Sequence, residues 1–397
     1  MPAQQVGPAA APGPMPPQAA TSLPQQQQVP FVRATGTTRT SLSVQDAKTL
    51  TAAQQPITQS LPGTGYLVWV DLEMILAATG NTSSNSVAMA EDAPWSAFAT
   101  ITLDDGGPQM VNIDGYSLYL LNTYGGFGKR RVDLSTDTMV YSALTTGTGS
   151  AAGSGTFRLR IPAAINERDY YGLLGNQDRA TKYNLRDDLS ASSAIYSTAP
   201  TALPAVTINR AYAFLPVPGP QSAIGQPQQQ IPDGYGIVHY MTAVKSEAIP
   251  TPGLVNHYIR NLSNAVRLFI LVFRQGSGST PRASGETGLA GGTQIDFKVG
   301  TDVIFSETNR ERRQIMWDRY RWDAPSGVLV YDFLADAFPL VGYELGDDYL
   351  FLGNVSEAQF AITYNSTFTA NASNGLTIIT DSLYIPPNVN IYSYPFA

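Results

Sequence analysis

Residues 65–76 read GYLVWVDLEMIL, and from Tyr66 to Leu76 every second side chain is apolar. A period of two marks a strand with one buried face, because successive side chains of a strand point to opposite sides of its sheet. Further on, SAFATITL and QMVNI flank DDGG within residues 96–113. Asp-Gly and Gly-Gly supply the positive φ angles of tight primed turns, so this stretch reads as a hairpin.

The same rhythm extends in both directions. Upstream, ATGTTRTSLSV (34–44) alternates more weakly, and QDAKTLTAAQQPITQSLPG (45–63) is read as holding one helical turn. Downstream, YSLYLLNTY (116–124) reads as a strand, TTGTGSAAGSG (145–155) as a loop and TFRLRIPAAI (156–165) as a strand. ERDYYGLLGN (167–176) reads as a short helix or turn, and ALPAVTINRAYAFLPVP (202–218) as a long strand ended by prolines. GPQSAIGQPQQQIPDG (219–234) then breaks the pattern with the composition of a linker. Beyond it strands resume at YGIVHYMTAV, AVRLFILVF, IDFKVG, GVLVYDF, YLFLGNV, AQFAITYN and LTIITDSLYI. One helix interrupts them at 308–322, opened by a capping box of Thr308 and Glu311. Two blocks of seven or eight short strands with long small-residue loops argue for an all-β chain of sandwiches or jelly rolls, with few short helices. The boundaries follow: an arm at 1–35, a first block at 36–218, a linker at 219–234 and a second block at 235–397.

The arm carries prolines at positions 2, 8, 12, 14, 16, 17, 24 and 30, four consecutive glutamines, and no charge before Arg33. So Pro/Gln-rich a segment cannot be a regular helix and buries too little to fold alone. Across the chain the formal charge is −7, charged residues are 14%, and arginine outnumbers lysine 19 to five. A net acidic chain without a basic tail is a poor candidate for direct nucleic-acid binding, which rests on neutralising phosphates. Low charge suits burial against neighbours, and arginine suits interfaces because its planar fork sheds water easily. Cysteine is absent, which excludes disulfides, thiolate metal sites and cysteine nucleophiles. No secretory leader is read at the N-terminus, and the longest apolar run, VRLFILVF at 266–273, is far short of a bilayer span. Sequons at Asn81, Asn261, Asn354, Asn365 and Asn371 read as coincidence in a Ser/Thr-rich chain.

With GYLVWVDLEMIL, APWSAFATITLDDGGPQMVNIDGYSLYLLNTYGG, GTFRLRIPAAINERDYYGLL, NLSNAVRLFILVF, NRERRQIMWDRYRWDAPSGVLVYDF and AQFAITY in this order, the chain resembles tectivirus-like bacteriophage major capsid proteins over residues 36–395. That resemblance implies two tandem eight-stranded antiparallel jelly rolls, a double jelly roll, standing upright in an icosahedral shell. It implies homotrimeric, pseudo-hexagonal capsomers that contact neighbouring capsomers and other virion proteins such as vertex and minor capsid proteins. It also implies an internal membrane enclosing double-stranded DNA, assembly in the host cytoplasm, and no cofactor. An uncharged arm fits, since a lipid layer would part the coat from the phosphates. Relatives often begin with a helix beneath the capsomer, which the prolines forbid here, so the arm is expected to run extended.

Each chemical motif has a simpler reading. ELGDDYLFL invites comparison with a polymerase metal turn, but Asp133 and Asp137 are wrongly spaced to assist, and Gly346, Asp347 and Asp348 read as a hairpin turn. His239 and His257 are the only histidines and read as structural. The acid pairs Glu167 with Asp169 and Asp187 with Asp188 have the residue types of a glycosidase but read as solvated loop acids. No catalytic, cofactor or metal site is expected, and the chain is read as no enzyme. The 308–322 helix sets Arg310, Arg312, Arg313, Trp317, Arg319 and Tyr320 together, a mixture typical of intersubunit contacts. Alternative readings are a receptor- or carbohydrate-binding phage spike and, behind it, an all-β glycoside hydrolase.

Overall fold

In the computed structural model the described residues are 38–41, 46–61, 65–77, 79–81, 87–127, 140–141, 150–152, 154–165, 171–175, 183–215, 236–249, 252–259, 262–274, 293–321, 324–333, 349–352, 357–364 and 375–386. Its principal strands in the first half are β1 (Thr38–Ser41), β2 (Asp46–Thr49), β3 (Thr58–Leu61), β4 (Tyr66–Leu76), β5 (Phe98–Asp104), β6 (Val111–Ile113), β7 (Gly155–Pro162), β8 (Tyr183–Leu189) and β9 (Ala205–Leu215). In the second half they are β10 (Val238–Ala248), β11 (Gly253–Ile259), β12 (Ala265–Arg274), β13 (Gln294–Val299), β14 (Asp302–Thr308), β15 (Val328–Asp332), β16 (Ala358–Tyr364) and β17 (Gly375–Tyr384).

Alternation does what it promised. In β4 the side chains of Val70, Leu72, Met74 and Leu76 are buried, and those between them are partly exposed. The β5–β6 hairpin sets Ile101 opposite Ile113 and Leu103 opposite Val111. Its turn is held by Asp104 and Asp105, whose carboxylates accept from the amides of Gly106 and Gly107 at 3.0 and 3.1 Å, with Gly106 at φ +90°.

The two halves share one wiring. Counting β1 and β2 as two pieces of a first strand, both paired to β9, the first half stacks strands 1-8-3-6 in one sheet (β1/β2–β9–β4–β7) and 2-7-4-5 in the other (β3–β8–β5–β6). The second half repeats this with β10–β17–β12–β15 and β11–β16–β13–β14. Each half is therefore an eight-stranded antiparallel jelly roll, and the chain is a double one.

A helix falls between the fifth and sixth strands of each roll, α1 (Gly115–Tyr124) and α2 (Asn309–Tyr320). The first corrects an expectation: YSLYLLNTY is helical, not a strand. Asp114 caps it by accepting from the amide and hydroxyl of Ser117, and nearly every residue is buried, so no polar face reveals the period of 3.6. The helical turn expected within 45–63 is also absent among the described residues. That segment forms β2 and β3 with a bridge from Gln55 to Leu189. No described helix is long and apolar enough to cross a membrane.

The rolls share an edge. β10, first strand of the second roll, pairs in parallel with β6, fifth strand of the first, matching Met241 to Val111 and Thr242 to Asn112. One sheet thus runs from β3 in the first roll to β15 in the second.

Candidate functional site

The junction between the rolls is built from groups that the sequence reading had passed over. Arg267 lies inside VRLFILVF, the run read as apolar, and is fully buried beside Asp381 of β17 and His239 of β10. Its guanidinium donates to one oxygen of Asp381, while Nη2 reaches the carbonyl of Gly125, just past α1, at 3.3 Å. The same guanidinium lies 4.8 Å over the ring of Phe127. His239 Nε2 is 2.6 Å from the other Asp381 oxygen and Nδ1 is 3.1 Å from the carbonyl of Pro162 at the end of β7. Arg267 and His239 of the second roll, joined through Asp381, therefore grip two carbonyls and a ring of the first. Burial alone would raise the carboxyl of Asp381, but Arg267 and His239 outweigh it and hold it below the usual range.

Apolar packing completes the seam. Phe127, Ile165 and Tyr171 meet Ile237, Ala265, Tyr349, Leu383 and Ile385. Gly172 sits there at φ +84°, and a Cβ at that position would lie 2.5 Å from the Ala163 carbonyl and 2.8 Å from the Cβ of His239. Only glycine fits.

Asp187 and Asp188 were expected in solvent and are instead buried in β8. Adjacent strand residues point to opposite faces, and each finds its own arginine. Asp187 points between the sheets and takes two bonds of 2.8 Å from Arg210 of β9, which also reaches Asp46 of β2 at 2.6 Å. Burial pushes the Asp187 carboxyl up to about 6 despite that pairing. Asp188, on the other face, accepts from Arg186, Gln54 and the amide of Ile57. Carboxylates held in this way tie the sheets and strand edges together rather than facing a substrate. His257 is likewise buried, its Nε2 2.9 Å from the hydroxyl of Tyr364. Among the described residues no group of three His, Asp or Glu is placed to hold a metal. Glu167, Asp169, Asp133, Asp137 and Gly346–Asp348 lie outside the described residues, as do the arm at 1–35 and the linker at 219–234.

α2 divides the interface residues read from sequence into two sets. Its capping box is present, with Thr308 and Glu311 bonding reciprocally. Arg312 donates to Glu307 at 2.6 Å and stacks 4.3 Å over Tyr331. Tyr320 donates to Asp332, and Arg319 lies 2.8 Å from the other oxygen of that carboxylate. Those three fasten the helix to β15 and its surroundings. Arg313 is partly buried, whereas Arg310 and Trp317 are exposed, Trp317 by 49%, alongside Ile315. Sequence reading missed the exposed Val303 and Ile304 on β14, although two adjacent β-branched residues in TDVIFSET hint at a strand apolar on both faces.

No protein-family model and no curated protein matches the chain. Solved structures do. The chain is similar to the STIV MCP, a major capsid protein, with a TM-score of 0.58 at 12% identity over 88% of this chain and 97% of that one. It is similar to PBCV-1 VP54, fitted into a reconstruction of the virophage Sputnik, with a TM-score of 0.59 at 12% identity over 88% and 94%. Similarity to a quasi-atomic model of the PBCV-1 virus capsid has a TM-score of 0.54 at 13% identity, again over 88% and 94%. Both rolls and the seam between them thus form the double jelly-roll fold of these capsid proteins.

Proposed function

We propose that this chain is the major capsid protein of a tectivirus-like bacteriophage, three copies forming a pseudo-hexagonal capsomer that tiles an icosahedral shell. One observation carries the reading: the likeness spans both rolls and nearly the whole length of the STIV and PBCV-1 capsid chains. The chain's own chemistry supports it. Among the described residues Asp187, Asp188, Asp381, His239 and His257 are buried and bonded within the chain, and the large exposed apolar side chains lie on the second roll, while the chain's charge is low and acidic. In this reading the domains are 36–218 and 235–397, with 219–234 as linker and 1–35 as an extended arm beneath neighbouring subunits. The partners are other copies, vertex and minor virion proteins, and an internal membrane around the DNA, with no direct nucleic-acid contact. The chain acts in the virion as structure, after assembly in the host cytoplasm.

The test is the mass and shape of the purified chain. A trimer by light scattering, seen as hexagonal particles in negative stain, supports the reading. A monomer that binds or cleaves glycans overturns it in favour of a spike or glycoside hydrolase.

A further inference from the structure

We infer that the outer edge of β14, together with the Ile315–Trp317 face of α2, seats the β2 edge of a second copy, repeating between chains the seam that β6 and β10 make within one. This rests on the capsomer reading and names the surface it would use.

The two rolls duplicate one arrangement. In the first roll the fifth strand, β6, is buried at Val111 and Ile113, and its free edge is taken by β10. The helix after it, α1, is buried along nearly its whole length, and its Tyr124 packs edge-on against Tyr320 of α2, the ring centroids 5.1 Å apart. In the second roll the same two elements keep an open outer face. β14 pairs only with β13 among the described residues, and its Val303 and Ile304 are 51% and 47% exposed. Ile315 and Trp317 of α2 are 42% and 49% exposed. The surface that is covered in one roll is open in the other and sets four large apolar side chains among charged ones.

The matching half exists at the other end of the chain. β10 is the first strand of its roll, and its counterpart is β1/β2, which pairs only with β9 among the described residues. Ala47, Lys48 and Thr49 of β2 are exposed. An unpaired sheet edge bearing apolar side chains, as β14 does, is a template for another strand, whereas β2 carries the exposed charge of Lys48, which blunts its edge against indiscriminate pairing. One edge of each kind per chain makes a head-to-tail contact, which closes into a ring when the rotation permits.

The chain has no cysteine, so the contact can be tested by disulfide trapping. Ala47→Cys and Thr49→Cys are each combined with Val303→Cys or Ile304→Cys and oxidised. At least one pair should give dimers and trimers on a non-reducing gel and nothing larger, while single variants give no trimer. In parallel, Val303→Lys and Trp317→Glu should keep the circular dichroism of the wild type yet weaken trimer association by ~30-fold or more, as loss of an interface anchor does. Leu254→Lys, on the far edge strand β11, should leave association unchanged. A wild-type trimer that no cysteine pair captures and neither charge variant weakens overturns this inference and leaves the capsid reading standing. A wild-type chain that remains monomeric overturns both.

Discussion

At the scale of the residue, the chain stakes much on arginines that no solvent reaches. Arg210 and Arg267 are fully buried, and each holds a carboxylate that would otherwise be stranded. Their energetic signatures differ. Asp381 is held below the usual carboxylate range, so its contribution is present at neutral pH and lost only as pH falls through its lowered value. Asp187 is pushed up to about 6 by burial, so the sign reverses. An acid titrating near 6 in the fold and near ~4 in the unfolded chain adds up to about 3 kcal/mol below that window, and loses it as pH rises through 6. Asp332, also raised to about 6 by burial against the pull of Arg319 and Arg312, acts in the same direction. Asp187→Asn therefore removes a pH dependence as well as a bond. Unfolding free energies at fixed protein concentration should show the wild type losing its advantage over the variant between about pH 4 and 6. A difference that stays constant across that window would show that Asp187 ionises normally in the fold.

Elements show which parts of the structure were legible in sequence. Where the code is local, it could be read. The period of two in β4, the DDGG turn and the Thr308–Glu311 box each depend on residues within a few positions of one another. The box can be checked directly. Thr308→Ala leaves an exposed first-turn amide without its acceptor and should cost about 1 kcal/mol, seen as a lower denaturation midpoint, whereas Thr308→Ser should restore it. Where burial surrounds an element, the code blurs. α1 is buried on nearly every side, so Tyr116–Tyr124 offers no clear helical stripe, and the Asp114 cap was the one local sign. Arg267 was hidden for a related reason. β12 is buried on both faces, and one charge in a run of eight is invisible until Asp381 arrives from far along the chain. The parallel meeting of β6 with β10 has no local signature at all.

For the whole molecule, the seam decides whether two jelly rolls behave as two domains or one. A glutamine-proline connection between blocks suggests independent units. Against that, one sheet crosses the boundary, and a single apolar cluster takes in Val111, Ile113 and Leu118 from the first roll with Met241, Leu268 and Ile270 from the second. The Arg267–Asp381–His239 group sits on this boundary and reaches carbonyls on the other side of it. Calorimetry should therefore give one cooperative transition in which the van't Hoff enthalpy matches the measured enthalpy. Breaking the group from one side tests the coupling. Arg267→Leu leaves Asp381 buried with only His239, and loss of one partner of a buried ion pair typically costs 3–5 kcal/mol. The transition should then move to lower temperature and separate into two as the rolls uncouple. Adding Asp381→Asn removes the stranded charge, so the double variant should recover part of that loss, a coupling that independent residues would not show. Two transitions in the wild type would mean that the rolls stand apart, whereas strictly additive losses in the double variant would mean that Arg267 and Asp381 do not act as a pair.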